Sequence, residues 1–228
     1  MYLSDIHTHS IASGHGTSCT ISDMAKAASK KGLKLLGITD HGPGTLAAGT
    51  SSYFRSLTYA PKKRFGIELL FGAELNILDT EGHLDLNDEL LSELDYAIAS
   101  MHAQNYKSGT VEENTSAYLN AMRHPCVKVL GHCDNPAFPV DYETLAFGAK
   151  EYGVIFEINE ASLMPDGYRG DTKENNREIL KYCMKYEIPI VLSSDSHGAE
   201  HIGDFTYGAE FVHEMMFPEK MILNNDIP

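Results

Sequence analysis

Seven short apolar segments alternate along the chain with longer segments of helical periodicity. The first predicted strand begins near Tyr2 and Leu3, and six more follow at 34–39, 67–75, 96–100, 127–130, 154–158 and 189–193. The main predicted helices cover 20–31, 46–65, 111–122, 142–152 and 173–186. Such alternation is typical of α/β proteins with a parallel sheet. In a chain of 228 residues it predicts a seven-stranded parallel TIM-like barrel, with an open doubly wound sheet as the alternative.

Side chains that can bind metal ions follow nearly every predicted strand. They are His7 and His9, His41, Glu74, His102, His132, and Asp195 with His197. A barrel brings the carboxyl ends of its strands to one mouth, whereas an open sheet spreads them along an edge. The sequence also lacks the Gly-x-Gly-x-x-Gly motif of dinucleotide-binding sheets. Both observations favour the barrel.

The histidines point to a metal site when they are considered together. His7 and His9 are two residues apart, so on a strand their side chains lie on the same face, and imidazole is a common ligand of zinc-like ions. Taken alone, His102 or His132 is explained as a hydrogen-bonded histidine of the core. His41 could equally be a surface histidine beside a helix cap, and His197 could belong to a turn. However, seven of the eleven lie at or just beyond a predicted strand end, including His15 in the loop after the first strand. The other four are interpreted as structural: His83, His124, His201 and His213.

Charge, apolar runs and cysteine spacing indicate what kind of protein this is. The formal charge is 18 − 32 = −14, which argues against a nucleic-acid surface built from clustered Lys and Arg. No apolar run approaches the roughly 20 residues of a membrane span, and no secretory signal is visible. The four cysteines include no Cys-x-x-Cys pair, so reduced thiols are expected. We therefore predict a cytoplasmic protein with a single domain over residues 1–228.

These residues and their order resemble the PHP superfamily, named for polymerase and histidinol phosphatase, and above all its small stand-alone phosphoesterases. The resemblance implies a distorted seven-stranded (βα)7 barrel and three divalent ions, zinc first, with manganese or iron as alternatives. The first ion would be held by His7, His9, Glu74 and Asp195. Glu74 would bridge to a second ion on His102 and His132, and the third would lie on His15, His41 and His197. Glu74 and Asp195 are thereby also the predicted catalytic residues.

Three divalent cations against two carboxylates would leave this site strongly positive, which suits a small phosphorylated substrate. Metal ions can lower the pKa of bound water from 15.7 to about 7, so hydroxide becomes available to attack a phosphate ester. Arg169, in the loop 159–173, is the predicted substrate-binding residue because a guanidinium can bind phosphate bidentately, and Asn159 would assist it. The alternative is that both are surface residues. Asp40 is a candidate acceptor for an imidazole N–H, with a cap of its loop as the alternative.

The sequence therefore predicts a metal-dependent phosphatase acting on a small phosphorylated metabolite. A phosphodiesterase or 3′–5′ exonuclease acting on nucleic acid is the second hypothesis, which the acidic composition disfavours. A non-catalytic metal-binding module is the third. It is disfavoured because the ions would keep open coordination positions, as catalytic sites require.

Overall fold

The computed structural model describes residues 2–226, in which strands and helices alternate as predicted. Within this range the strands are β1 (Ser4–Asp5), β2 (Thr8–His9), β3 (Leu35–Ile38), β4 (Lys63–Arg64), β5 (Ile67–Phe71), β6 (Ala73–Asn76), β7 (Ala97–Ser100), β8 (Val127–Leu130), β9 (Ile155–Asn159), β10 (Ile190–Ser193) and β11 (Ser196–His197). The eight α-helices of the same range are α1 (Ile21–Lys31), α2 (Ser51–Leu57), α3 (Asp88–Leu91), α4 (Val111–Ala121), α5 (Tyr142–Tyr152), α6 (Glu160–Leu163), α7 (Lys173–Tyr186) and α8 (Thr206–Glu214).

Local signals fix the helix ends where the sequence predicted them. Helix α1 begins with a capping box, in which Thr20 and Asp23 satisfy each other's backbone N–H groups. It ends at Gly32, whose φ of 87° is a left-handed conformation that favours glycine. Helices α5 and α7 have the predicted bounds. The predicted helix at 46–65 is wrong in length, since only α2 is helical there and β4 follows it.

The strands form a mainly parallel α/β fold. Five strands pair in the order β10-β9-β8-β7-β6, all parallel. A second sheet has the order β1-β3-β5-β4, in which only β4 runs antiparallel to its neighbour. Strands β2 and β11 pair in parallel as a third sheet. The α/β class is thus confirmed, whereas a closed seven-stranded barrel stays a prediction.

The predicted third strand, 67–75, is divided at Gly72 into β5 and β6, which belong to different sheets. A Cβ on Gly72 would lie 2.6 Å from the carbonyl oxygen of Tyr96, so the chain could not approach that backbone as closely with any other residue. The split lets β5 pair with β3 while β6 pairs with β7. It also carries Glu74 onto β6.

Apolar side chains from different sheets share one small cluster. Ile6 lies between β1 and β2, and it packs with Ile98 of β7, Val129 of β8 and Val191 of β10, all of them buried. The Tyr96 hydroxyl donates to the Ile6 carbonyl in the same place. The larger core cluster includes buried residues of the helices and of the strands. Leu35 of β3 and Leu70 of β5 pack against the same small cluster, so the two larger sheets share a common interior there.

Some shorter elements agree with the sequence predictions, and others were not predicted. The predicted hairpin at 76–86 is supported by an antiparallel bridge between Ile77 and Leu84. The loop predicted at 159–173 contains the short helix α6, and α8 was not predicted. The cysteines are free thiols: Cys19, Cys126, Cys133 and Cys183. In the part of the chain that the structure describes, no helix combines the length and the apolar character needed to cross a bilayer.

Candidate metal centre

The structure brings all nine predicted metal ligands to the carboxyl ends of the strands. Strand pairing does much of this work, because His197 of β11 lies opposite His9 of β2 in register. A bridge between His41 and Glu74 likewise joins the end of β3 to β6. Seven of the nine line one cavity: His15, His41, Glu74, His102, His132, Asp195 and His197. The other two, His7 and His9, are fully buried beneath them.

Glu74 lies at the centre of the cluster, and its two oxygens face different imidazoles. Oε2 is 2.7 Å from Nδ1 of His41, 3.4 Å from Nε2 of His7 and 3.5 Å from Nε2 of His9. Oε1 is 2.7 Å from Nε2 of His132 and 3.3 Å from Nε2 of His102. A side chain placed in this way can bridge two cations, one beside each oxygen.

Asp195 supplies the second carboxylate from the turn between β10 and β11. Its Oδ1 lies 3.2 Å from Nε2 of His9 and 3.7 Å from Nε2 of His7. Its backbone has a φ of 53°, and that of His132 has a φ of 27°. Positive φ is uncommon for residues other than glycine, although Asp and His adopt it more often than most, and such conformations concentrate at functional sites, where the surrounding structure holds them.

His15 joins the cluster from the loop before α1. Its ring centroid lies 4.9 Å from that of His41 and 4.9 Å from that of His197. Unlike His7 and His9, it is exposed to solvent. The rings of His15, His41 and His197 therefore lie near one another at the outer side of the cluster, and His9 comes within 4.2 Å of His197 by ring centroids.

The donor atoms fit divalent metal ions. Several buried imidazole nitrogens of the cluster have no hydrogen-bond partner, among them Nε2 of His7, Nε2 of His9, Nδ1 of His132 and Nε2 of His197. Each unpaired buried group costs about 1–3 kcal/mol, so a shared partner is expected. Three sets bring their ligand atoms within 4.8 Å of one another: His9, His41 and His197; His7, His9 and Asp195; and His41, Glu74 and His102. Imidazole and carboxylate ligands of this kind suit zinc.

The charge states of the two carboxylates and of His132 fit metal binding. Burial lowers the pKa of His7 and of His41, but Glu157 and Glu74, respectively, more than offset it, so a bound cation would have to displace a proton from these two imidazoles. Burial opposes the ionisation of Glu74, but His102, His41 and His7 hold its pKa well below the usual range. Burial likewise opposes the ionisation of Asp195, whose pKa is nevertheless held well below its usual range, mainly by His7. Burial, and then the charge of Arg169, lower the pKa of His132 to about 4. Ionised carboxylates and a neutral imidazole are the forms that bind a cation.

Glu157 is a residue of the site that the sequence did not single out. It lies on β9, is buried, and accepts a hydrogen bond from His7, with 2.6 Å between Nδ1 and Oε1. Its Oε1 also accepts from the Ser193 hydroxyl, and its Oε2 accepts from the backbone N–H of His132 at 2.6 Å. The available signal was an acidic residue inside an otherwise apolar strand, since buried charges are rare without a partner.

The prediction for Asp40 needs correction. Its carboxylate accepts from Ser10, from the Ser13 hydroxyl at 2.7 Å and from the Tyr53 hydroxyl. Since the Ser13 hydroxyl donates its hydrogen to Asp40, its oxygen accepts from Nδ1 of His9 at 2.8 Å. Asp40 therefore orients the imidazole of His9 through Ser13 rather than by direct contact.

Arg169 borders the same cavity, which has a volume of about 400 Å³. The guanidinium donates to Asp195, with 2.8 Å between Nη2 and Oδ2, and its Nη1 donates to Asn159 at 3.2 Å and to Ser162 at 3.0 Å. The alternative that Arg169 and Asn159 are surface residues is wrong, because both are buried. The exposed ring of Tyr168 lies 4.5 Å from the guanidinium, and Met101 and Phe138 add apolar wall.

Several known proteins that are similar to this chain belong to the PHP family or are named as phosphatases. The chain matches the PHP domain family over residues 5–163 and a PHP-associated family over residues 173–210. It is 40% identical over 225 residues to a probable phosphatase of Clostridium novyi, covering 99% of this chain and 91% of that protein. A histidinol phosphate phosphatase of Lactococcus lactis, solved with zinc, L-histidinol and phosphate, has a similar fold, with a TM-score of 0.62, 19% identity and 95% of each chain covered. A candidate histidinol phosphatase of Listeria monocytogenes gives a TM-score of 0.64 at 20% identity, covering 90% of this chain and 99% of that one.

Proposed function

The chain belongs to the PHP domain family and is a phosphoesterase, and from this premise we propose that it removes phosphate from a small phosphorylated metabolite at a centre of three divalent metal ions. The observation that carries the proposal is the set of unpaired buried imidazole nitrogens around Glu74. In a protein without metals these atoms would destabilise the fold. As ligands they are satisfied, and the same bound ions provide the charge that phosphate requires.

We assign the ligands in three groups. The first is His7, His9, Glu74 and Asp195, supported by the 3.2–3.7 Å distances that join the two imidazoles to the two carboxylates. The second is Glu74, His102 and His132, supported by the two imidazoles beside Oε1 of Glu74. The third is His15, His41 and His197, supported by the proximity of their three rings.

We further propose that the three sheets act as one distorted seven-stranded barrel, within a single domain of residues 1–228. Two features support this arrangement. Pairing of β11 with β2 joins the last strands to the first, and Gly72 alone separates β5 from β6 along the chain. The shared cluster of Ile6, Ile98, Val129 and Val191 is the kind of interior that a closed barrel would enclose.

The residues of the cavity would act on the substrate as follows. Bound divalent ions would supply a water molecule of lowered pKa and positive charge to stabilise phosphate. Glu74 and Asp195, whose pKa values are held well below the usual range, would hold the ions in place as ionised carboxylates. A guanidinium has five N–H donors, of which Asp195, Asn159 and Ser162 use three, so Arg169 keeps donors for a phosphate oxygen. Because those three partners fix its position, little conformational entropy is lost on binding.

The cavity favours a small leaving group that is partly apolar. A volume of about 400 Å³ lies towards the small end of the range for ligand sites. Met101 and Phe138 form buried apolar wall, the Tyr168 ring stands at the rim, and Gln104 and Asn135 add polar groups. The Lactococcus lactis neighbour holds L-histidinol and phosphate, which supports a small phosphorylated substrate for this chain as well.

The test is hydrolysis of a panel of phosphomonoesters, beginning with p-nitrophenyl phosphate, beside the diester bis(p-nitrophenyl) phosphate and short oligonucleotides. We expect monoester hydrolysis that chelation abolishes and added zinc or manganese restores. The matched control is His83→Ala, since His83 is an exposed imidazole paired with Asp79 outside the cluster. Faster hydrolysis of diesters would replace the proposal with a phosphodiesterase, and no hydrolysis by metal-loaded protein would refute catalysis.

A further inference from the structure

Asp85 lies outside the metal-binding cluster, and its carboxylate accepts hydrogen bonds from two segments that carry members of the cluster: Asn76 of β6 and the loop after His41. Asp85 lies at the end of the segment that follows β6, and three N–H groups donate to it. The backbone N of Asn76 is 2.9 Å from Oδ1, while Nδ2 of Asn76 at 2.6 Å and the backbone N of Gly44 at 2.9 Å share Oδ2. An ionised carboxylate only accepts hydrogen bonds, so it determines which end of the Asn76 amide faces it.

Asn76 passes this constraint on to His102. Asn76 is fully buried at the end of β6, two residues after Glu74. With its NH2 group directed at Asp85, its Oδ1 faces Nδ1 of His102 at 2.7 Å and Nδ2 of Asn105 at 2.9 Å. An amide oxygen can only accept. The neutral imidazole of His102 must therefore carry its hydrogen on Nδ1.

This tautomer is the one that a metal ligand needs. With hydrogen on Nδ1, the lone pair of His102 is on Nε2, which lies 3.3 Å from Oε1 of Glu74. In the other tautomer the Nε2–H would donate to Glu74 and occupy the position of a cation. Partners of this kind, which orient a ligand without touching the metal, commonly change metal affinity by 10–100-fold.

We propose that Asp85 is a positioning residue that acts through Asn76 to fix the Nδ1–H tautomer of His102 and so prepares its Nε2 to bind a metal ion. The inference rests on the proposed function in that His102 is taken as a ligand. It adds a residue with no metal contact, and it explains why an asparagine follows so closely after Glu74.

The same carboxylate also orders the loop that begins at His41. Gly44 donates to it, and any Cβ on Gly42 would overlap the Asp85 carboxylate. Thr45, whose hydroxyl accepts from Nδ2 of Asn76 at 3.2 Å, is held to the same network and lines the cavity. Asp85 thus fixes both the loop that follows His41 and the tautomer of His102. These two histidines and Glu74 form one of the three sets whose ligand atoms lie within 4.8 Å of one another.

The test is the tautomer of His102 in metal-free protein at pH 8, measured from the 15N shifts and couplings of labelled histidine. Loss of signals in His102→Gln assigns the resonance. We expect Nδ1–H in the wild type. In Asp85→Asn, the new amide presents one acceptor oxygen and one NH2 group to the three donors that the carboxylate accepted, so the side-chain amide of Asn76 is free to flip. We expect a mixture of His102 tautomers and a 10–100-fold loss of zinc affinity, measured by chelator competition.

A double variant tests whether an acceptor at residue 76 is enough to fix the tautomer of His102. Asn76→Asp combined with Asp85→Asn reverses the order of amide and carboxylate, so that residue 76 again only accepts from His102. We expect it to restore Nδ1–H, which a general loosening of the segment would not do. Asp79→Asn is the matched control, because Asp79 lies in the same segment and bonds to exposed His83.

The outcomes separate this inference from the proposed function. Retention of pure Nδ1–H in Asp85→Asn would overturn the inference, even if phosphatase activity fell. Failure of the double variant to restore the tautomer would also overturn it. Absence of phosphatase activity in a wild type with the expected tautomer would instead count against the proposed function alone. If Asp85→Asn does not fold, the double variant and circular dichroism of each protein still decide the point.

Discussion

Nδ1 of His7 lies 2.6 Å from Oε1 of Glu157, and both side chains are completely buried. The contact turns Nε2 of His7 towards Glu74 and Asp195, which lie 3.4 and 3.7 Å away. It joins residues 150 positions apart in the chain. A carboxylate behind an imidazole both orients the ring and increases its basicity as a ligand.

Glu157→Gln should therefore lower metal affinity without removing a proposed ligand. The amide can still meet His7 but loses the negative charge and one of the two acceptor oxygens that serve Ser193 and His132. We expect a 10–100-fold loss of affinity, measured by chelator competition. Glu68→Gln, on the exposed face of β5, is the control and should be neutral. Wild-type affinity in Glu157→Gln would show that the buried contact has no effect on the ligand.

Removing the metals should also destabilise the fold. The unpaired buried atoms of the cluster lose their partners, and any ion that binds only the folded state adds stability by mass action, about 2.7 kcal/mol per site at one hundred times its Kd. Thermal unfolding of chelated and zinc-reloaded protein measures the difference. An identical Tm in both states would argue against binding at this cluster.

Glu74→Gln and His15→Ala should differ in their effects. Glu74 faces two groups of imidazoles, so loss of its charge should cost more than one ion per chain and nearly all activity. His15 is exposed at the outer side, and its removal should affect the third group alone. Elemental analysis, circular dichroism and turnover of the two variants provide the comparison. The bridging role is refuted if Glu74→Gln keeps full metal and rate while His15→Ala loses both.

Arg169→Met should weaken both phosphate binding and stability. It leaves Asp195 without its 2.8 Å partner, and loss of one member of a buried ion pair costs about 3–5 kcal/mol. We expect a lower Tm and weaker inhibition by inorganic phosphate. Arg177→Met removes an exposed arginine paired with Glu174 and is the control. If phosphate inhibits Arg169→Met as strongly as the wild type, Arg169 is a structural residue only.

Tyr168→Ala should change substrate preference rather than folding. Its ring is 77% exposed at the rim of the cavity, so truncation costs little core packing. Stacking of an aromatic leaving group on this ring is worth about 0.5–1.5 kcal/mol, which is up to roughly tenfold in kcat/KM. We expect that loss for aryl phosphates but not for glycerol phosphate. Tyr59→Ala, at another exposed tyrosine, is the control. Equal losses for both substrates would exclude a stacking role.

The bounds of several helices were predictable because the sequence patterns that set them are local. Hydrophobic periodicity, helix caps and terminal glycines act within one or two turns. Asp141 and Gly153 bound α5 in this way, whereas α7 follows from periodicity alone, without a side-chain cap or a glycine. The same patterns failed for α2, where β4 takes up part of the predicted helix. The mixed composition of 46–65 has no clear period, so tertiary pairing decides its structure.

The sequence by itself determined the α/β alternation and the metal-binding side chains at or just beyond the strand ends, because each depends on residues close together in the chain. It indicated the family through the order of those motifs along the whole chain. Only the tertiary structure decided which buried polar atoms meet. Glu157 reaches His7, Asp85 reaches His102 through Asn76, and Arg169 is held by Asp195. These contacts join separate strands and loops, so no local pattern encodes them. They form because a polar group taken out of water must find a partner, and packing of the strands determines which partner is within reach.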